Sequence, residues 1–427
     1  MYKKISLTKS IFIAIVLGVL AGLALQNMPN GFVRDDLLLG GIIRLSGQGF
    51  IRLIQMLVVP LVFTSLVVGS SSLGDIKSIG RMGSKTIVFF LVTSFIGVLL
   101  SVVIASFINP GAGLDLSHLI SSEPTINEAT PLVETLINMI PTNPINAMAN
   151  GDMLPIIIFA FLVGTAIATT KEKTGQVHSF FVQLDLIFNK MVLMVMNFAP
   201  IGVFALITTT FAAMGIDVFL PLLMFIFTVI FILVIHAIVV YGGLLKVARI
   251  SVIKFLKIFA PAAALAFSTS SSNATLPVTI ESMKKAGVDN KVSSFVLPLG
   301  ATINMDGTAI YQGVAVIFIA AIYGIELSVP ILLTVILTAT LASVGTAGVP
   351  GAGLITLSMV LASAGLPIEG IGLIMGIDRI LGMSRTTLNI MGDCVGAILI
   401  AKSEGLLDEE MLNEPTATPV TNIVYNN

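Results

Sequence analysis

Apolar stretches of about 20 residues, the length a helix needs to cross a bilayer, follow one another along the chain. They predict helices at 7–26, 37–70, 84–108, 151–170, 181–213 and 217–247, the longer ones tilted. Between 109 and 151 the pattern changes: Asp115, Glu123, Glu128 and Glu134 stand among Pro and Asn with no Lys or Arg, as in a long external excursion. Past 250, polar or glycine-rich tips interrupt the apolar segments. The first is Ser268-Thr269-Ser270-Ser271-Ser272-Asn273, followed by Pro277, and the second runs from Ser343 to Gly353. Non-helical backbone at membrane depth persists only inside protein or beside a water-filled cavity. Both segments, 251–284 and 329–366, therefore read as helical hairpins that enter and leave on one side. Each leads into a longer helix with buried polar residues, 292–323 and 369–402. This approximate internal repeat points to a transporter binding site.

Composition removes the soluble alternatives. Of 427 residues, 56% are hydrophobic and 11% charged, and mean hydropathy is +1.03. Twenty-two Lys and Arg with 23 Asp and Glu cannot cover a soluble fold of this length. A net charge of −1 without a basic run excludes nucleic acid as a partner and leaves membrane lipid. Cys394 has no disulfide partner, and His118, His178 and His236 lack metal-ligand spacing. Lys3, Lys4 and Lys9 precede an apolar run from Ile11 to Leu25 that superficially resembles a signal peptide. The downstream sequence is equally apolar, so the run reads as the first spanning helix. Basic residues recur at every second helix boundary: Lys77, Arg81 and Lys85, Lys171 and Lys173, then Lys246, Arg249, Lys254 and Lys257. Arg34 is the exception. By the positive-inside rule this is a multi-pass cell-membrane protein with cytoplasmic termini. The acidic tail, 405–427, reads as disordered.

Charges inside the membrane carry the chemistry, because each costs about 2.5–3.5 kcal/mol at a helix centre and so needs a partner or a task. The last helix carries Asp378, Arg379, Arg385, Asn389 and Asp393. At about 100° per residue, Asp378, Arg385, Asn389 and Asp393 share an arc of roughly 80°. The stripe is either an internal salt-bridge ladder or a cavity wall, with Arg385 a planar fork for a carboxylate and Asn389 and Asp393 hard oxygen ligands; the second is preferred. In the preceding helix, Asn304, Asp306 and Thr308 are spaced by two, so an intact helix would scatter them. An unwound turn beside Gly300 and Gly307 would let their oxygens converge on a hard cation such as Na⁺.

These residues resemble the glutamate transporter family, the dicarboxylate/amino acid:cation symporters. The matching stretches are Ser270-Ser271-Ser272, Thr275-Leu276-Pro277-Val278-Thr279, Leu297-Pro298-Leu299-Gly300-Ala301 running through Asn304-Met305-Asp306-Gly307-Thr308, Gly348-Val349-Pro350-Gly351-Ala352-Gly353, and Arg385-Thr386 with Asn389 and Gly392-Asp393. The resemblance implies an all-α membrane protein of eight transmembrane helices plus two re-entrant helical hairpins, an elevator-type transporter with inverted repeats, assembled as a homotrimer. The implied division is scaffold helices at 1–82 and 109–213, the latter with the external loop, and a mobile transport unit at 83–108 and 214–404. The resemblance places coupling cations, Na⁺ or alternatively H⁺, on three sets. The first is Gly300, Asn304, Asn389 and Asp393; the second Thr302, Ser343, Val344 and Thr346 through main-chain oxygens; the third Phe90, Thr93, Ser94, Asn304 and Asp306. It places substrate, a small acidic amino acid or C4-dicarboxylate, on Ser272, Thr308, Val349, Gly353, Arg385, Thr386 and Asn389.

Two departures bear on that substrate. Acidic amino-acid carriers of the family usually place an Asp one turn before the Arg to receive the substrate ammonium, and here Gly382 stands there. An amine-free dicarboxylate becomes a serious candidate. The archaeal members carry an Arg in the first hairpin where this chain has Ser270, and Arg379 either supplies that charge or simply neutralises Asp378. The rival readings are a channel using the same cavity and an intramembrane aspartyl protease. The second needs a Gly-x-Gly-Asp motif, and Ile390 stands at its first Gly.

Overall fold

The computed structural model describes residues 7–71, 80–114, 137, 140–344, 346 and 348–413. Lys3, Lys4, Lys77, the acidic residues from Asp115 to Glu134, His118, and the tail from residue 414 lie outside the described residues. So do Gly345 and Ala347 in the second hairpin tip.

The described residues are almost entirely helical, and seven helices among them are long and apolar enough to cross a membrane. Helix α1 spans Leu7–Gln26, and α2, Arg44–Ser71, follows a π-helical run at Phe32–Ile43. Then come α3, Gly80–Ile108, and α4, Met153–Thr169. The single helix expected at 181–213 is two: α5, Lys171–Met196, and α6, Ala199–Met214. Pro200 explains the break, since its ring and missing N–H fit the first turn of a helix and not its interior. Helix α7, Phe219–Ile235, continues through a π-helical turn, His236–Tyr241, into Gly242–Val247.

The first expected hairpin is α8, Val252–Thr269, and α9, Ser272–Lys285, packed side by side. Its tip turns on Ser270 in the left-handed region (φ 53°) and on Ser271, whose hydroxyl caps α9 at Ala274 N. The expected unwound turn is present: α10, Asn290–Ile303, stops at Asn304 and Met305 before α11, Asp306–Ile322. The second hairpin is α12, Val329–Val344, and α13, Ala352–Ser363. The helix expected at 369–402 is interrupted at Gly376 and Ile377, between Ile371–Met375 and α14, Asp378–Ser403.

Packing divides these helices into two groups. In one, α1 lies along α6, and α2 lies against α4, α5 and α6. In the other, α11 is buried at every position but Ala321 and packs on α3, α7, α12 and α14. Such all-round burial demands close approach. A Cβ at Gly307 would fall 2.6 Å from the Arg385 carbonyl oxygen, so glycine lets α11 begin against the middle of α14. The groups meet where α10, α12 and α13 touch α2.

Candidate functional site

The two hairpin tips converge on the break between α10 and α11 and on the polar face of α14. Ser271 donates its hydroxyl to the Gly348 carbonyl at 2.7 Å, and Asn273 N reaches the same oxygen at 3.3 Å. Behind this contact lies a cavity of about 60 Å³ of water-accessible volume, enough for several waters at roughly 10–15 Å³ each. All seven residues expected to touch substrate, Ser272, Thr308, Val349, Gly353, Arg385, Thr386 and Asn389, line it, and so do Asp378, Arg379 and Gly382.

Arg385 is held from two sides. Its Nη2 donates to Asp378 Oδ1 at 2.8 Å, and its guanidinium carbon stands 3.9 Å from the centre of the Tyr311 ring. Cation–π stacking and the ion pair together fix the fork on a fully buried aromatic. Nη1 is buried without a hydrogen-bond partner, and a Cβ at Gly353 would come within 3.2 Å of it. Asp378 takes its hydrogen bond from Arg385 rather than from the adjacent Arg379, whose charge acts on it through space. Residues seven apart share a helix face while adjacent ones diverge by about 100°. Arg379 Nε, on the cavity wall, is buried without a partner.

The three expected cation sets differ in how their oxygens are committed. In the first, Asn304 donates through Nδ2 to Asp393 Oδ1 and to the Asn389 carbonyl, both at 2.8 Å, while its Oδ1 is buried without a partner. A Cβ at Gly300 would collide with the Asp393 carboxylate, so glycine makes room for this cluster. The Asn389 side-chain oxygen accepts from Gly307 N at 2.8 Å, leaving its main-chain oxygen on the cluster. In the second set, Thr302 lies in the last turn of α10 and Ser343 and Val344 in the last turn of α12, two helices that touch; helix C-termini present free carbonyls and partial negative charge. Thr346 spends its hydroxyl on Ala342 O at 2.8 Å. In the third set, Asp306 accepts a short hydrogen bond from Ser94, and Thr93 donates to Phe90 O at 3.2 Å.

Two residues at Asp306 were not legible as site residues. Tyr241 donates to Asp306 Oδ2 at 2.6 Å, and His236 Nε2 stands 3.3 Å from the same oxygen. A five-residue spacing puts two side chains about 140° apart on an α-helix. The π-helical turn brings these two rings to 4.8 Å. The only signal in the sequence is a pair of polar rings in an otherwise apolar segment.

The sequence pattern of the sodium:dicarboxylate symporter family matches residues 7–403. The chain belongs to that family. It is 39% identical over 420 residues to a proton/glutamate-aspartate symporter of Escherichia coli (strain K12), covering 95% of each chain. It is 36% identical over 415 residues to a proton/sodium-glutamate symport protein of Bacillus caldotenax, covering 96% of this chain and 97% of that one. A C4-dicarboxylate transport protein of Agrobacterium fabrum (strain C58 / ATCC 33970) is 33% identical over 412 residues, covering 95% and 90%. As a member of the sodium:dicarboxylate symporter family, the protein is a multi-pass membrane transporter and not an enzyme: a cation-coupled symporter for acidic amino acids or dicarboxylates.

Proposed function

We propose that this symporter carries an amine-free C4-dicarboxylate, coupled to Na⁺. The observation that carries the substrate reading is the charge arrangement of the cavity. Arg385 Nη1 and Arg379 Nε are both buried without partners on its wall, while the one carboxylate there, Asp378, is already bound to Arg385. Two donors of positive charge fit a dianion. A substrate ammonium has no free carboxylate to meet, since position 382 is glycine. One carboxylate docks on Arg385, and the other on Arg379 with the polar tip of the first hairpin. Na⁺ takes the unpartnered Asn304 oxygen together with Asp393, an oxygen set suited to a hard cation.

The two packed groups of helices support a division into a scaffold, 1–82 and 109–213, and a transport unit, 83–108 and 214–404, that moves against it. On this reading the termini are cytoplasmic and the assembly is a homotrimer. Closure of the tips over substrate and cation couples their movement, since crossing is favoured only when both are bound.

The acidic amino-acid reading draws on the E. coli and B. caldotenax relatives, which are a glutamate-aspartate and a glutamate symporter. Uptake of succinate, fumarate, aspartate and glutamate into proteoliposomes, under separate Na⁺ and pH gradients, separates the readings. Accumulation of succinate and fumarate driven by Na⁺ is expected. Preference for aspartate overturns the substrate assignment, and uptake driven by a pH gradient alone overturns the cation.

A further inference from the structure

A second cavity, of about 290 Å³ water-accessible volume, lies on the other side of the second hairpin tip, between the two groups of helices. Its wall on one side is α2 and α5, carrying Ser65, Asp185 and Asn189, and on the other the first hairpin tip and α10, carrying Asn273, Ser294 and Thr302. Asp185 belongs to none of the substrate or cation sets above. Ser65 donates to its Oδ1 at 2.5 Å and Asn189 Nδ2 to its Oδ2 at 2.9 Å.

Among the described residues, Asp185 is the only ionisable group on this wall. Among the described residues no other titratable side chain lines it: Arg44 and Arg52 on α2, Lys173 and Lys190 on α5, Glu281, Lys284 and Lys285 on α9, and Lys291 on α10 are exposed, and His178, seven residues before Asp185 on α5, is half-buried and off the cavity lining. An intramembrane carboxylate with no counter-charge is costly, and neutralisation by a proton relieves that cost.

The two neighbours can serve either form. An ionised carboxylate only accepts hydrogen bonds, and Ser65 and Asn189 now donate to it. A carboxylic acid must also donate, and the Asn189 Oδ1 is buried without a partner, so a turn of that amide presents an acceptor. Asp306 differs in its surroundings: Ser94 and Tyr241 donate to its two oxygens, and His236 Nε2, a second titratable group, stands 3.3 Å from one of them.

We propose that Asp185, with Ser65 and Asn189, is a proton-binding site on the static side of the moving boundary, and that the transport unit passes it freely only when Asp185 is protonated. Water in the cavity supplies the proton, and Ser65 and Asn189 reorient as it arrives. The inference rests on the transport reading above for its consequence, but proton binding itself is readable without transport.

The test is pH-difference infrared spectroscopy of the full chain in lipid, with dicarboxylate exchange in proteoliposomes measured beside it. Wild type should show a protonated-carboxyl band that is absent in Asp185→Asn and displaced in Asp185→Glu. The wild-type exchange rate should fall about tenfold per pH unit above the titration point of that carboxyl. Asp185→Asn should hold the low-pH rate throughout with unchanged KM, and Asp185→Glu should restore the fall. An Asp185→Asn protein with the wild-type difference spectrum overturns the site, and one with the wild-type pH profile overturns its role. If no dicarboxylate is exchanged by wild type, the substrate reading fails while the spectra still decide the proton site.

Discussion

The Ser271 hydroxyl and the Gly348 carbonyl join the two hairpin tips at 2.7 Å, across 77 residues of sequence. This bond joins the tips beside the cavity that Gly348 lines. Replacing Ser271 with Ala removes it and leaves Gly348 O only the longer bond from Asn273 N, 3.3 Å. A neutral hydrogen bond contributes about 0.5–1.5 kcal/mol, so succinate affinity should fall roughly three- to tenfold, which calorimetry on the purified protein would read.

Position 382 faces the same guanidinium. A Cβ there would lie 3.4 Å from Arg385 Nη2, so the Gly382→Asp carboxylate would stand against the arginine proposed to hold substrate. Competition uptake should then show succinate losing on the order of tenfold or more while aspartate gains, because the new carboxylate repels a dianion and receives an ammonium.

Tyr241→Phe removes one donor to Asp306 and leaves Ser94 and His236. Hydrogen bonds to charged groups contribute about 1.5–3 kcal/mol, so thermal stability in detergent should drop by that order. Stabilisation by added Na⁺ should weaken with it, and an unchanged response of the melting temperature to Na⁺ would separate Asp306 from the cation sites.

At the end of α14, Glu404 receives Arg81 through a short ion pair and Lys85 at 2.5 Å. Hydrogen bonds from Arg81 and Lys85 hold its carboxyl down at about 2. The unfolded carboxyl titrates near its ordinary value of about 4.5, so the tie contributes fully above that pH and is lost as pH falls through about 2. Glu404→Gln should therefore melt below wild type at neutral pH, with the gap narrowing under acid and at high salt. A gap that widens toward low pH would contradict this.

The cavity between the hairpin tips was legible in the sequence because intramembrane charge is too costly to be incidental, and Asp378, Arg385 and Asn389 mark it by their spacing on α14. The unwound turn at Asn304 was legible for a related reason: alternate polar residues cannot share one face of an intact helix. What escaped depends on backbone detail that hydropathy averages away. The apolar run 181–213 carries a single polar residue, Asn197, at the break between α5 and α6, too little to show against its apolar neighbours, and Pro200 is the stronger signal. The pairing of Asp378 with Arg385 skips the adjacent Arg379, since side-chain reach along one face outweighs nearness in sequence. Tyr241 and His236 meet only through a π-helical turn. Asp185 and Asn189, four apart and therefore neighbours on one face, were visible but stood in a helix otherwise read by its apolar length.

Thr346 and Gly348 belong to the lining of both cavities. The second hairpin tip is thus a partition with a different compartment on each face, and whatever volume one compartment gains by its displacement the other must yield. On the proposed reading, a bulky competitor that wedges the tip away from Arg385 would press it toward Asp185, arresting the cycle through a cavity it does not enter.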